Sequence, residues 1–447
     1  MFKKMILPIC VAVVLVISAV VGGILIINNV YNFGDKGSGG NGTTSNVGLG
    51  NPQSPSTPSE QVHVHAFNTD IKYEVIGPDV YVHYKCSGCD ERSEFEQVKD
   101  AVIATPDTLQ EILDAEPNGK TIVLSSGLYQ CIELRPTLAN VQKISVDESG
   151  GTNFGEPIFI RTESNFREIQ TLVEDVKEYN YLYEASFKDI TIVGTQGVQF
   201  RNRFIIRSGE VNYHNLVSED PIRGIDYNAE GWKHTNKLTI KNIKFLNIEF
   251  HGYGGTLEVS HNEYEHSSFD GITIENCKFY GMFEDRISGM PAIKIMNAKN
   301  VKIERNAIVG HFQGVYTNCV FNLECNNNEI REINSSAIII QSVGYDKYFT
   351  GNINIKSNKI AYVYGKQNYV GDRAIYIHIG NHSTIVIEDN TFTRAVNLES
   401  ELLEVFAIQN SRFSFINNNY SAESSETGKA LDNIVNSTEA SLSIVVP

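Results

Sequence analysis

Two sets of residues in this chain carry side chains able to do chemistry. The first is tight in sequence: His63-Val64-His65 and, further on, Cys86-Ser87-Gly88-Cys89. Two thiolates separated by two residues, with imidazoles upstream, supply the donors of a tetrahedral zinc site. The same cysteines could instead close a disulfide beside solvated histidines, and in both cases the role is structural. The second set is scattered: Glu258, Lys294, Tyr316 and Tyr376, then Asn318, Gln341 and His378, with Arg286 and Arg373 in the segments leading to them. If these meet, Lys294 or an arginine could abstract the C5 proton of a uronic acid while Tyr316 serves as acid, with Ca²⁺ or Arg286 neutralising the carboxylate. Hydrolysis would instead need a carboxylate pair, Glu258 with Glu284 or Asp285. Asn318, Gln341, Tyr376, His378 and Arg373 offer the amides, rings and charge that hold sugar hydroxyls and apolar sugar faces.

Residues so far apart in sequence converge only if the chain stacks them, and an internal repeat provides the means. Seven segments carry an apolar residue, an Asn-like position three later and an apolar residue two beyond. They are Ile240/Ile243/Phe245, Ile274/Cys277/Phe279, Ile303/Asn306/Ile308, Cys325/Asn328/Ile330, Ile355/Asn358/Ile360, Ile387/Asn390/Phe392 and Phe415/Asn418/Tyr420. Their middle positions lie 34, 29, 22, 30, 32 and 28 residues apart. The shortest spacing is one minimal coil, and the surplus elsewhere goes into loops. Stacked Asn amides can form a ladder, and Asn tolerates the left-handed turn between short strands. Cys277 and Cys325 sit on the repeat as small apolar residues. A second strand follows at Thr256–His261, 292–297, 314–319, 337–342 and 374–379. Period-two alternation sends Leu257/Val259, Ile293/Ile295, Val315/Thr317, Ile338/Ile340 and Ile375/Ile377 inward. Two outward columns result: Glu258, Lys294, Tyr316, Ile339, Tyr376, and Ser260, Met296, Asn318, Gln341, His378. The loops add His251, His261, His266, His311 and Asp372.

Upstream, Thr105-Pro106-Asp107-Thr108-Leu109-Gln110-Glu111 predicts a short helix with Thr108 and Glu111 as a capping box. Pro117-Asn118-Gly119 ends it, Thr121–Leu124 reads as a strand, and Gly127-Leu128-Tyr129 as a turn. This helix–turn–strand–turn passage resembles the opening of pectate lyase-like proteins, and Glu156-Pro157-Ile158-Phe159-Ile160-Arg161 is similar to their second early rung. The resemblance spans roughly 106–420. It implies an all-β, single-stranded right-handed parallel β-helix whose N-terminal end is capped by the helix, and a protein that cleaves or modifies an acidic polysaccharide, or binds surface glycans without catalysis. The Asn-Thr-Asp and Asp-Asp signatures of polygalacturonases, the Arg-x-Pro-x-x-Arg element of pectate lyases and the Asp-Pro-His-Asp element of alginate epimerases are absent, so it speaks to fold more than to reaction. The His63/His65, His83 and Cys86/Cys89 pattern resembles a small zinc-ribbon-like module of secreted bacterial proteins.

The 447 residues divide into four parts by composition: 1–33, 34–60, 61–100 and 101–447. Lys3 and Lys4 precede an uncharged, mostly apolar run from Met5 to Ile27, long enough to span a bilayer and leave the rest outside the cytoplasm. Cleavage as a signal peptide is the alternative. A Gly/Ser/Thr/Pro-rich tether follows. The 61–100 module predicts strands Ile71–Ile76 and Val80–Tyr84 around Gly77-Pro78-Asp79. The net charge of −16 excludes a nucleic-acid partner. Phe166–Tyr183 carries helical spacing, as an inserted helix or a long loop.

Overall fold

The computed structural model describes residues 65–147, 153–162, 180–211, 220–223, 234–261, 269–282, 290–342, 351–363, 373–379, 383–394, 401–407, 412–422 and 441–445. The apolar N-terminal run, the tether and His63 lie outside these, as do His266, Glu284, Asp285, Arg286, Asp372 and the 166–179 part of the Phe166–Tyr183 segment. Among the described residues no helix is long and apolar enough to cross a membrane.

The protein is all-β. Strands β1 (Phe67–Ile76) and β2 (Asp79–Cys86) form an antiparallel hairpin, joined by β3 (Glu96–Gln97). Gly77, at φ +64°, takes the left-handed turn conformation that glycine enters at no steric cost. The hairpin is not isolated: Val80, Tyr73 and Val98 pack with Val123, Val193 and Leu246 of the larger sheet.

That larger sheet is three columns of parallel strands, each strand bonded to its counterpart one repeat later. In the first column Ile192 pairs with Phe245, Phe245 with Ile274, and so on through Ile303, Cys325, Ile355, Ile387 and Phe415. In the second, Tyr129, Phe200, Phe250 and Phe279 succeed one another, then Ile308, Ile330, Ile360 and Phe392. Their rings stack inside the core at 5.0, 5.2 and 4.7 Å between centroids. The third runs Phe204, Leu257, Ile293, Val315, Ile338, Ile375. The inward residues just named are buried in one cluster.

The repeat reading needs one correction. Phe245 pairs with Ile274 and Phe250 with Phe279, so the first repeat is Phe245/Ile248/Phe250 and not Ile240/Ile243/Phe245. The earlier triplet belongs to the same long strand, His234–Leu246, whose alternation mimics the pattern.

From Asn306 onward the repeat asparagines form a buried ladder. Each Nδ2 donates to the next Oδ1: Asn306 to Asn328, Asn328 to Asn358, Asn358 to Asn390 and Asn390 to Asn418, at 2.9–3.0 Å. Each amide also donates back to a carbonyl of the preceding coil, as Asn328 does to Ile303 and Asn358 to Cys325. The left-handed corners fall on the residue before the ladder: Asn276, Arg305, Asn327, Ser357, Asp389 and Asn417, at φ 53–56°. The ladder amide and the turn are therefore separate duties.

Helix α1 (Leu109–Asp114) buries Leu109 and Leu113 in this core. The expected capping box does not form. Thr108 has helical backbone angles, and its hydroxyl accepts from Thr105 N at 2.9 Å while Thr105 O receives the N–H groups of Thr108 and Leu109. Phe159–Ile160 is not a rung of the parallel stack; it pairs antiparallel with Val141–Asp147. That strand in turn pairs antiparallel with the start of Asn180–Gly194, so residues 180–183 are strand and not helix.

Candidate functional site

The third column positions the scattered set. Its outward residues pair in the order Glu133, Ile205, Glu258, Lys294, Tyr316, Ile339, Tyr376, and beside them Arg207, Ser260, Met296, Asn318, Gln341, His378. Neighbours along a column sit about 4.8 Å apart, because parallel strands hold that spacing.

Glu258 is 2% exposed and its Oε1 accepts three hydrogen bonds: from Arg207 Nη2 at 2.8 Å, Lys294 Nζ at 3.1 Å and Ser260 Oγ at 3.0 Å. Burial raises this carboxyl, but Arg207 and Lys294 overcome that and hold it below its ordinary value. Next along, Tyr316 donates its phenol to Gln341 Oε1 at 3.2 Å, and burial raises its pKa, so the proton stays on. Cys319 donates its thiol to Asn318 Oδ1 at 3.4 Å. Tyr376 is only 3% exposed, and His378 meets its ring edge-on at 6.5 Å. Arg373 occupies a strand paired with Glu401, its side chain outside the described set, as is all of Arg286.

Sequence reasoning missed two members. Arg207 lies one coil before Glu258, in a strand whose Phe204/Ile206 alternation matches the others but whose coil lacks the asparagine marker. Glu133 lies two coils before Glu258. It is buried, and desolvation pushes it up to about 7 against the opposing pull of Arg135 and Arg207. Nothing in its local sequence, Cys131-Ile132-Glu133-Leu134, announces this.

A second site stands at the open end of the hairpin. His65, Cys86 and Cys89 bring one ligand atom each within 4.8 Å of one another, a group able to hold a metal ion. Cys89 Sγ lies 3.4 Å from His65 Nδ1, close to the about 3.5 Å separating sulfur and nitrogen on one tetrahedral zinc. Gly88 N–H donates to Cys86 Sγ at 3.4 Å. The donor set therefore fits a soft divalent cation. No disulfide joins Cys86 and Cys89 in the structure. His83 is not part of the group: it faces Glu74 at 3.5 Å and stacks on Phe95. Among the described residues no other trio of His, Cys, Asp or Glu gathers at ligand distance, so the Ca²⁺ expectation has no cluster there to support it.

Compared with known families, with characterised proteins and with solved structures, the chain matches none.

Proposed function

We propose that this protein is an extracytoplasmic, carbohydrate-active, right-handed parallel β-helix that binds an acidic polysaccharide along its third column and acts on it by β-elimination. The observation that carries the reading is the outward run Glu258–Lys294–Tyr316 with Gln341 beside it: an ion pair, a protonated phenol and an amide aligned along one face. Three columns of parallel pairings at repeat spacing support the β-helix. The Met5–Ile27 run would anchor it in the membrane with the body outside, and zinc is the metal we assign to His65, Cys86 and Cys89.

On this reading Arg207, which stays cationic, receives the uronate carboxylate. The C5–H bond breaks, its electron pair forms the C4=C5 double bond, and the C4–O bond breaks with Tyr316 protonating the departing oxygen. Lys294 takes the C5 proton as a free amine, having released Glu258. Glu258, with three donors on one oxygen, positions Lys294; that occupancy speaks against its acting as a glycosidase nucleophile. A non-catalytic glycan-binding role is the second reading; with Tyr376 only 3% exposed, it would rest on the partly exposed Asn318, Gln341 and His378 and not on that ring.

Incubating the full-length protein with a panel of uronate polymers, with and without Ca²⁺, tests this. Unsaturated product seen by ultraviolet absorbance, lost in Lys294→Ala and Tyr316→Phe, supports elimination. Polymer retention without product supports the binding role. Neither retention nor product across the panel refutes both.

A further inference from the structure

At the hairpin site one further side chain, that of Glu91, meets the His65 ring. His65 presents Nδ1 to Cys89 Sγ at 3.4 Å, while Nε2, on the far side of the ring, meets Glu91 Oε2 at 3.0 Å. The ring is also held flat against Phe67, with centroids 5.4 Å apart and planes 10° from parallel. Glu91 is itself fixed by the loop: its carbonyl receives Cys86 N–H at 2.8 Å, so the residue orienting His65 is bonded to a thiolate ligand's own backbone.

We infer that Glu91 is a positioning residue for a His65/Cys86/Cys89 metal centre, selecting the tautomer of His65 that leaves Nδ1 open to the ion. The physical reason is simple. A neutral imidazole has one N–H and one lone pair, and a carboxylate at Nε2 accepts from the N–H, so the lone pair must sit on Nδ1. The same contact makes the ring a better donor, because the imidazole's partial positive charge on binding is offset nearby. Glu91 cannot be a ligand of the same ion through that contact, since it lies on the opposite edge of the ring. The centre joins the residues just before β1 to the loop after β2, where Ser87 N already bonds Ala66 O at 3.0 Å.

This inference rests on the metal reading of the three ligands, and the test separates the two. Full-length protein, reduced and stripped of metal, is titrated with Co²⁺ and then Zn²⁺. Tetrahedral thiolate coordination gives an intense sulfur-to-cobalt charge-transfer band and visible d–d bands. The wild type is expected to show both, and Cys89→Ser to lose the charge-transfer intensity. Glu91→Ala should then weaken affinity about tenfold, the low end for an outer-sphere carboxylate because Glu91 is well exposed. Glu91→Gln, whose amide oxygen can still accept from Nε2–H, should recover much of that loss. If the wild type binds neither ion, the metal reading itself fails. If it binds and Glu91→Ala matches it in affinity and spectrum, the metal reading stands and the role of Glu91 is overturned.

Discussion

Replacing Asn358 by alanine is the most direct challenge to the ladder that runs through this fold. Its Oδ1 accepts from Asn328 N at 2.9 Å and from Asn328 Nδ2 at 3.0 Å. Its Nδ2 donates to Cys325 O at 2.8 Å and to Asn390 Oδ1 at 2.9 Å. The side chain is fully buried, so alanine breaks four bonds where bulk water cannot replace them. At about 1 kcal/mol net for each bond, plus the penalty for stranded N–H groups, the loss comes to about 3–5 kcal/mol. Asn354, four residues earlier in the same coil and facing outward, is the control: Asn354→Ala should shift stability by about 0.5 kcal/mol or less. Urea melts followed by far-ultraviolet circular dichroism read the midpoints. Because stacked repeats need not unfold in one step, hydrogen exchange at the Asn328 amide supplies a local reading, and its protection should fall sharply in Asn358→Ala alone. Equal midpoints and equal Asn328 protection in the two variants would refute the argument that these amides hold the coils together.

The acidic groups of the third column give opposite pH responses. Glu258 is lowered in the folded state, so its stabilisation is present above the ordinary carboxylate range and lost as pH falls through the folded value. Glu258→Gln should cost about 2–3 kcal/mol at neutral pH, discounted for the partial exposure of Lys294, and should flatten the acid limb of a melting-temperature profile. Glu133 is raised to about 7, so the folded state binds its proton more tightly and stability declines between the ordinary carboxylate value and about 7. Glu133→Gln should therefore melt higher than wild type at pH 8, an advantage that shrinks toward pH 4; a lower melting temperature at both would contradict it. At Gly314 an added Cβ would lie 2.3 Å from Ala337 O, so Gly314→Ala should destabilise by about 2–3 kcal/mol. Gly155→Ala, whose nearest contact is 3.9 Å, should leave the melt within about 0.5 kcal/mol if its backbone accepts alanine.

Much of the architecture was legible because one signal repeats. Period-two alternation put Ile293, Val315, Ile338 and Ile375 inward, and the spacing of the asparagines aligned one coil with the next, so the outward neighbours of Lys294 could be read before any coordinates. The signal failed where the repeat is incomplete. Ile240/Ile243/Phe245 imitates the triplet within a strand longer than its successors, and Arg207 lies in a coil with Ile248 and Cys277 still ahead of the first ladder asparagine. Phe159–Ile160 has strand composition, yet composition does not say whether its partner runs parallel or antiparallel. The Glu133 environment depends on Arg135, Arg207 and Glu258 from three coils and on Asp114 from helix α1, which no local pattern encodes. At the hairpin, the cysteine spacing gave the ligands, but the turn of the His65 ring toward Cys89 is a matter of side-chain rotation that only Glu91 and Phe67 explain.

Successive ladder asparagines are separated by 22, 30, 32 and 28 residues of chain, yet every link has the same length within 0.1 Å. Contour length between anchor points is thus decoupled from the framework, and lengthening a connection costs little in closure entropy, since that cost grows only with the logarithm of its length. The spine behaves as a ruler with interchangeable attachments. Natural variation or deliberate grafting can rewrite the walls around Lys294 and Tyr316 segment by segment, acquiring a new recognition surface without renegotiating the scaffold beneath it.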